Sequence, residues 1–305
     1  MDHGMDSYLE NLKDKWEDVH NKGGVFAYKL DVTTSKTLKG NYGFYCELNV
    51  ERTTKRRIPQ QIPLENTTFD PSKFNFTKIK PEEVLSEIPF KDSTVTFVIN
   101  SSPLTKYHCL IVPDLDKCYP QILNKVSIGF TIRFLLNISD NSFKIGYNSP
   151  GALASVNHLH LHLIHLNQNT FIENIKLVKL KTDLEFYKSA HEHIRFVCFK
   201  VDTVNFEKNV DEFYKLIKWM IDSLIPHNLY FLKESTFVKI FVFAKKEAIA
   251  VKTLGQVNLA FCELIGYVPV GDEEVFDGLD EDSLVSSFRD ASGDIYDKIY
   301  NFIEK

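Results

Sequence analysis

Three histidines alternate with leucine in the stretch His158-Leu159-His160-Leu161-His162, and no other pattern in the chain constrains its fold as strongly. Successive side chains of a β-strand point to opposite faces, so one face carries the three histidines and the other carries the leucines. The leucine face predicts a strand packed on a core. The histidine face predicts a surface that opens to solvent or to a cleft. The nearby His165 is out of phase with the three and falls on the leucine side, so we interpret it as structural.

Three hypotheses compete for the histidine face: satisfied structural side chains, a metal site, or covalent catalysis. Neighbouring histidines lie about 6.6 Å apart along a strand and can share an ion, but the outer two, at about 13 Å, hardly reach the same one. No flanking Asp, Glu or Cys completes a ligand set, so no metal site is predicted. Under the third hypothesis the middle histidine attacks phosphorus, while its neighbours and backbone carbonyls fix its tautomer and hold phosphate oxygens.

The loop directly before the histidines, residues 146–155, is built from small and polar residues. Gly151 and the alanines let backbone amides approach an anion closely, and Asn148, Ser149 and Ser155 offer hydrogen-bond donors. This loop favours covalent catalysis on a phosphate group. The sequence therefore predicts nucleotidyl transfer through a histidine nucleophile.

Composition limits the classes of protein that remain. The chain has 305 residues, 44% hydrophobic and 25% charged, which suits one large domain or two packed halves. A net charge of -5 gives no support for extended nucleic-acid binding, and no apolar run spans a membrane. The N-terminus lacks a signal-peptide pattern, and the five cysteines are widely spaced without a Cys-x-x-Cys pair. We expect a cytoplasmic protein with neither a disulfide framework nor a cysteine metal site.

Hydrophobic periodicity predicts an α+β fold, an antiparallel sheet with packed helices. The first half reads as strand, strand, helix, strand, strand; the second half, read as strand, helix, strand, repeats this theme weakly, without a repeat in the sequence itself. Prolines exclude regular helix from 58–82, which we expect to wrap over the surface. We predict a single domain over 1–305 with two similar halves, 24–170 and 171–305. The predicted helices are 7–22, 122–137, 210–225 and 283–305, and the main predicted strands are 93–99, 108–112, 143–147, 156–166, 193–200 and 238–245.

The His-x-His-x-His motif with apolar residues between the histidines resembles the signature of the histidine-triad superfamily. Asn148-Ser149-x-Gly151, followed by the run 154–162, more closely resembles the GDP-hexose phosphorylases of animals and plants. The resemblance extends over about residues 15 to 275. Its other blocks are 48–57, 69–79, 98–108, 227–228 and 258–264.

The resemblance implies a reaction of GDP-D-glucose with phosphate to give GDP and D-glucose 1-phosphate, through a GMP–histidine intermediate and without a cofactor. It implies a GDP-hexose and inorganic phosphate as partners, with no nucleic acid and no membrane. His160 would be the nucleophile, His158 would orient it, Ser155 and Asn148 would hold the α-phosphate, and Asn100 would lie near the ribose. Ser149 and Gly151 belong to the same phosphate loop; Lys78, Arg56 and Arg57 would meet phosphate or guanine, or form a solvated basic turn.

The third histidine leaves the acceptor open. His162 resembles the animal members, whereas plant members carry Gln, but a third histidine is also typical of histidine-triad hydrolases. A nucleotide hydrolase, a GDP-L-galactose phosphorylase and a regulatory nucleotide-binding protein without catalysis therefore stay as alternatives. The sequence does not predict the preferred hexose or the oligomeric state.

Overall fold

The computed structural model describes residues 4–30, 34–65, 67–249 and 257–305. Its helices are α1 (Met5–Lys22), α2 (Val50–Lys55), α3 (Lys125–Asn137), α4 (Phe171–Asn174), α5 (Phe206–Asp222), α6 (Phe261–Leu264), α7 (Glu273–Gly278), α8 (Glu281–Ser292) and α9 (Ile295–Ile303). Its strands are β1 (Ser35–Thr37), β2 (Tyr45–Leu48), β3 (Val84–Phe90), β4 (Ser93–Ile99), β5 (Cys109–Pro113), β6 (Phe143–Asn148), β7 (Leu161–His165), β8 (Leu177–Lys179), β9 (Phe186–Ser189), β10 (Val197–Asp202), β11 (His227–Glu234), β12 (Phe237–Ala244) and β13 (Tyr267–Val270). None of the helices in the described part of the chain is long and apolar enough to cross a membrane.

Apolar spacing and capping residues explain where the long helices form. In α5 the buried residues Phe206, Val210, Phe213 and Ile217 recur at helical spacing and form one face. The predicted helix 122–137 begins only at Lys125, because the side chain of Asn124 caps it by accepting the N–H of Ser127. The predicted C-terminal helix 283–305 is two helices. Gly293, with φ of 50°, ends α8 before α9 begins.

Ten strands in the described part of the chain form one sheet, in the order β3-β4-β5-β7-β6-β11-β12-β10-β9-β8, and every pair within it is antiparallel. The first five strands run β3-β4-β5-β7-β6 with α3 between β5 and β6. The last five, read from the opposite edge, run β8-β9-β10-β12-β11 with α5 between β10 and β11. The two halves thus share one topology and join through β6 and β11. The expected α+β fold with two similar halves is confirmed, while the boundaries 24–170 and 171–305 stay a prediction.

Different layers cover the two faces of this sheet. One face packs against α1, α3, α5 and α9 in the main core, to which α1 contributes Trp16, 1% exposed. The other face of the second half packs against a small sheet, in the order β1-β2-β13, and against α6 and α8 in a second core. In the first half, the same face of the sheet packs against the segment that contains Phe76. There Phe76 forms a small third cluster with Val98 and Val112.

Candidate active site at the histidine segment

The histidine segment enters the sheet as its alternation predicts. Leu159 and Leu161 are fully buried in the main core, while His158 and His160 lie on the other side, themselves almost fully buried. The predicted strand 156–166 is too long, however, because β7 begins at Leu161. The preceding residues hydrogen-bond elsewhere: the N–H of Leu159 donates to the carbonyl of Tyr119 at 2.8 Å instead of to a neighbouring strand.

The tautomer of His160 is set by the backbone of His158. The Nδ1 atom of His160 lies 2.7 Å from the carbonyl oxygen of His158. A carbonyl only accepts hydrogen bonds, so Nδ1 carries the proton and the neutral ring has its lone pair at Nε2. The side chain of His158 does something different: its Nδ1 accepts the N–H of Phe76 at 3.2 Å, and burial lowers its pKa to about 4. His158 therefore stays neutral near pH 7.

Gln121 holds the main chain of His160 from both sides. Its Oε1 accepts the N–H of His160 at 2.9 Å, and its Nε2 donates to the carbonyls of His160 at 3.1 Å and of Asn148 at 3.0 Å. Gln121 is fully buried, so these bonds are shielded from water. The sequence analysis missed this residue, because it stands 39 positions from His160 and belongs to no motif.

His162 is paired with His108, which directly precedes the neighbouring strand β5. The Nδ1 atom of His108 accepts the N–H of Leu104 at 2.9 Å, so its proton lies on Nε2, which is 3.1 Å from Nδ1 of His162. Asn100 approaches the same Nε2 at 3.0 Å through its amide nitrogen. Within the described ranges, no three His, Cys, Asp or Glu side chains form a group that would hold a metal ion.

Aromatic rings cover the histidines. The ring of Phe76 lies 5.1 Å from that of His160 and 5.2 Å from that of His158, and Phe261 lies 5.3 Å from His162. Gly146, which lies opposite His162 in the sheet, makes room for the ring of Phe261, because a Cβ at this position would lie 2.2 Å from that ring. The described residues of the proline-bearing segment 58–82 run over the surface as predicted, and Phe76 within it covers His158 and His160.

A cleft of about 80 Å³, open to solvent, lies beside His162. Six of the predicted site residues line it together: Asn100, Asn148, Ser155, His162, Arg56 and Arg57. Its remaining lining residues are Arg52, Ile58, Pro59, Ser101 and Ser102.

Asn148 has its orientation fixed by the second half of the molecule. Its Oδ1 accepts two hydrogen bonds, from Nδ2 of Asn228 at 2.6 Å and from the N–H of Phe261 at 3.1 Å. With the oxygen engaged in this way, the group that Asn148 offers to the cleft is the Nδ2 donor. Asn228 is fully buried and was not predicted as a site residue.

The structure places Ser149 and Gly151 outside the cleft lining, at the junction of the halves. The hydroxyl of Ser149 accepts the N–H of His227 at 2.9 Å and donates to the carbonyl of Pro150. Gly151 has φ of +70°, and a Cβ there would lie 3.1 Å from Cβ of Ala248. Both residues fix the loop to the second half, and the structure brings neither to the cleft with Asn148.

Lys78 also lies outside the cleft lining. Its Nζ donates to three backbone carbonyls, those of Pro71, Ser72 and Lys73, between 2.6 and 3.1 Å. The side chain is exposed and closes the turn that precedes Phe76. In this arrangement Lys78 holds the covering segment in place, and the cations that reach the cleft are arginines.

Comparison with known proteins identifies the family. The model of the GDPGP1-like N-terminal domain matches residues 8–164, and that of the GDPGP1-like C-terminal domain matches residues 170–296. The chain belongs to the GDPGP1-like family. The resemblance to GDP-hexose phosphorylases read from the motif is thereby confirmed.

Relatives in this family carry phosphorylase names. The chain is 32% identical to GDP-D-glucose phosphorylase 1 of Danio rerio, over 90% of this chain and 83% of the relative. It is 31% identical to GDP-D-glucose phosphorylase 1 of Homo sapiens, over 88% and 75%. It is 27% identical to GDP-L-galactose phosphorylase 1 of Arabidopsis thaliana, over 94% and 70%.

The fold is also similar to a solved structure outside this group of relatives. Yeast Ap4A phosphorylase Apa2 superposes with a TM-score of 0.67 at 17% identity, covering 94% of each chain. At that identity the likeness speaks to the fold alone. It supports the two-halved α+β architecture of the GDPGP1-like chain described above.

Proposed function

We propose that this chain is a nucleotidyltransferase that converts GDP-D-glucose and inorganic phosphate to GDP and D-glucose 1-phosphate. Support comes from its family and from relatives in several vertebrates that are named GDP-D-glucose phosphorylase 1. The observation that carries the mechanism is the 2.7 Å contact between Nδ1 of His160 and the carbonyl of His158. It puts the lone pair of the neutral ring at Nε2, the atom that would attack phosphorus.

In the first displacement, Nε2 of His160 attacks the α-phosphorus of GDP-D-glucose. A nitrogen–phosphorus bond forms, and the bond to the bridging oxygen breaks, so D-glucose 1-phosphate leaves with the electron pair. This leaving group is a stable phosphate anion and needs little help from a general acid. GMP remains on His160, whose Nδ1 proton stays hydrogen-bonded to the carbonyl of His158 and stabilises the charged ring.

In the second displacement, an oxygen of inorganic phosphate attacks the same phosphorus. The new oxygen–phosphorus bond completes GDP, and the nitrogen–phosphorus bond breaks, returning its electron pair to Nε2. The intermediate divides one difficult exchange into two easier ones and predicts ping-pong kinetics. No metal or cofactor is required in this scheme.

The groups around the cleft have separate parts in the proposal. The Nδ2 donor of Asn148 and the hydroxyl of Ser155 hold the α-phosphate, where negative charge develops in each displacement. Asn100 lines the same cleft and would contact the ribose. His162, paired with His108, places a third ring next to His160, with 5.1 Å between their centroids.

A panel of GDP-hexoses tests the substrate. GDP-D-glucose, GDP-L-galactose and GDP-D-mannose are each incubated with and without phosphate, and GDP and GMP are quantified. We expect GDP-D-glucose with phosphate to give the highest kcat/KM. A preference for GDP-L-galactose would assign the chain to the activity named for its plant relatives, and turnover that is unchanged when phosphate is omitted would show a hydrolase.

Trapping the intermediate tests the nucleophile. Incubation with GDP-D-glucose alone should add one GMP to the enzyme, detectable by mass spectrometry. His160→Asn should abolish the adduct and lower kcat at least 10³-fold. His193→Asn is the matched control, since His193 is an exposed histidine of the second half. An adduct that persists in His160→Asn contradicts the assignment.

We also propose the cytoplasm as the compartment of this reaction. The widely spaced cysteines support it. Unpaired thiols, such as those of the buried Cys109 and Cys198, are typical of a reducing compartment, where disulfides rarely form. Localisation of a tagged full-length chain in cells tests this, and a signal in a secretory compartment would contradict it.

A further inference from the structure

Arg56 is a half-buried cation in the cleft wall, and the carboxylate of Glu263 acts on it electrostatically. Its Nε and Nη2 atoms are shielded from solvent, and among the residues that the structure describes neither has a hydrogen-bond partner. Burial, together with the nearby charge of Arg52, lowers the pKa of its guanidinium. Two charged donors held in this way cost free energy unless something accepts from them. The arrangement therefore indicates a position for an anionic ligand.

The two neighbouring arginines are engaged in ways that Arg56 is not. Arg52 donates through Nη1 to the carbonyl of Ser102 and, at 3.3 Å, to the hydroxyl of Tyr28. The guanidinium of Arg57 stacks on the ring of Phe74, 3.4 Å from its centroid. Both side chains are thus held by protein groups and add positive charge around Arg56. Arg56 differs from both in having two shielded donors, Nε and Nη2, without an acceptor among the described residues.

The chemistry of the available donors fits a phosphate group. A guanidinium presents parallel N–H donors in a planar fork that matches two oxygens of a phosphate, and it does not lose its charge at neutral pH. Arg56 lines the same cleft as His162, Asn148 and Ser155, so its guanidinium lies close to the reacting centre. In a chain with a net charge of -5, such a positive cluster is a local feature.

We propose that Arg56 binds the phosphate group that the reaction exchanges, first as the phosphate of the leaving hexose 1-phosphate and then as the entering inorganic phosphate. This inference rests on the proposed function. In each displacement the entering and leaving groups lie roughly in line across the phosphorus. His160 occupies one side in both steps, so the phosphate that leaves and the phosphate that enters occupy the same position opposite it.

This assignment explains how the enzyme would choose phosphate over water. Both acceptors attack the same phosphorus of the GMP–histidine, and each displaces Nε2 with its electron pair. Water gains nothing from a cation at the entry position, whereas a phosphate dianion is bound and aligned there. Arg56 thus raises the effective concentration of the anionic acceptor and, with it, the ratio of GDP to GMP formed.

Replacing Arg56 tests the proposal. With Arg56→Gln and GDP-D-glucose as donor, GDP and GMP are measured over a range of phosphate concentrations. We expect the phosphate concentration for half-maximal GDP formation to rise at least tenfold and the fraction of GMP to increase. Lys55→Gln is the matched control, because Lys55 is the adjacent residue, exposed and paired with Glu51, and it should behave as the wild type.

Arg56→Lys provides a second variant in case the first fails to fold. It keeps the charge but loses the planar fork, so we expect a rise of about three- to tenfold in the same phosphate concentration. The role of Arg56 is overturned if folded Arg56→Gln shows the wild-type phosphate dependence and the wild-type GMP fraction. If only Arg56→Lys folds, the same result in that variant overturns it. If the wild-type enzyme forms GDP with none of the GDP-hexoses, the proposed function itself is overturned. The two failures are therefore distinguishable.

Discussion

The two halves of the sheet share one strand order but differ in what covers the equivalent strands β7 and β12. Both strands place aliphatic side chains in the main core, Leu161 and Leu163 on β7 and Ile240 and Val242 on β12. On the opposite face, β12 buries phenylalanines in the second core, whereas the β7 segment places His162 beside a cleft and His158 and His160 beneath the ring of Phe76. The difference shows that the candidate site lies where this face of the repeated sheet buries histidines instead of phenylalanines.

The second half, although it lacks the histidines, contributes to the site. Asn228 on β11 fixes Asn148, and the N–H of Phe261 on α6 donates to the same oxygen. The backbone of His227 closes on Ser149 through two hydrogen bonds. The two halves therefore differ in their contribution: one half holds the proposed reacting groups, and the other fixes the loop beside them. The variants below test this division, beginning with the largest expected effect.

The largest effect is expected from Gln121→Leu in the first half. This change leaves the N–H of His160 and two carbonyls buried without their partner, so we expect a loss of about 2–4 kcal/mol in the free energy of unfolding. Because His160 also loses its alignment, kcat should fall about 100-fold. Urea denaturation and steady-state kinetics measure the two quantities.

A variant of the second half controls for stability. Phe199 is fully buried on β10, far along the sheet from β7, and Phe199→Leu should cost about 1–2 kcal/mol. Its kcat under conditions where the protein is folded should match the wild type. If both variants lowered kcat equally, the activity loss in Gln121→Leu would reflect stability and the halves would not be divided as described.

A smaller effect is expected from Asn228→Asp, which acts across the junction. A carboxylate would face Oδ1 of Asn148 and the carbonyl of Ala152, where an amide now donates at 2.6 and 2.8 Å. The repulsion should turn the amide of Asn148, lowering kcat/KM for the GDP-hexose about tenfold, or about 1.4 kcal/mol. Asn209→Asp makes the same change to an amide that bonds a carbonyl elsewhere in the second half, and it should leave kcat/KM unchanged. Equal values for the two variants would remove Asn228 from the site.

The effect that is smallest near neutral pH, where the folded and unfolded chains are both unprotonated at this residue, concerns the titration of His227. Complete burial lowers the pKa of this histidine to about 4, below the usual value near 6.5. Between those values the unfolded chain binds a proton at His227 and the folded chain does not, so the free energy of unfolding falls as pH drops from 6.5 to 4. The group contributes up to about 1.4 kcal/mol per pH unit in that window. His227→Gln should flatten the slope by that amount in urea titrations, and an identical slope would show that His227 is not buried in its neutral form.

The order of elements follows from the sequence, because it depends on local patterns. Apolar spacing predicts α1 and α5, and the alternation of leucine and histidine predicts which side of the segment meets the core. The predicted start of the strand that became β7 was wrong. Leu159 and His160 alternate as in a strand, but their N–H groups donate hydrogen bonds to Tyr119 and Gln121 instead of to a neighbouring strand. Alternation fixes the direction of side chains and leaves backbone partners undetermined.

The sequence by itself determined that a face of histidines would oppose a face of leucines, and the motif with its preceding loop predicted His160, Asn148 and Ser155 together as candidate site residues. Only the tertiary structure decided which distant residues complete the site. It brought Gln121 and Asn228 to the histidine loop, and it moved Lys78 and Ser149 out of the cleft into structural contacts. The physical reason is that these are single hydrogen bonds between residues tens of positions apart, formed by packing the two halves. Such bonds leave no periodic signal in a sequence, whereas the alternation of a strand does.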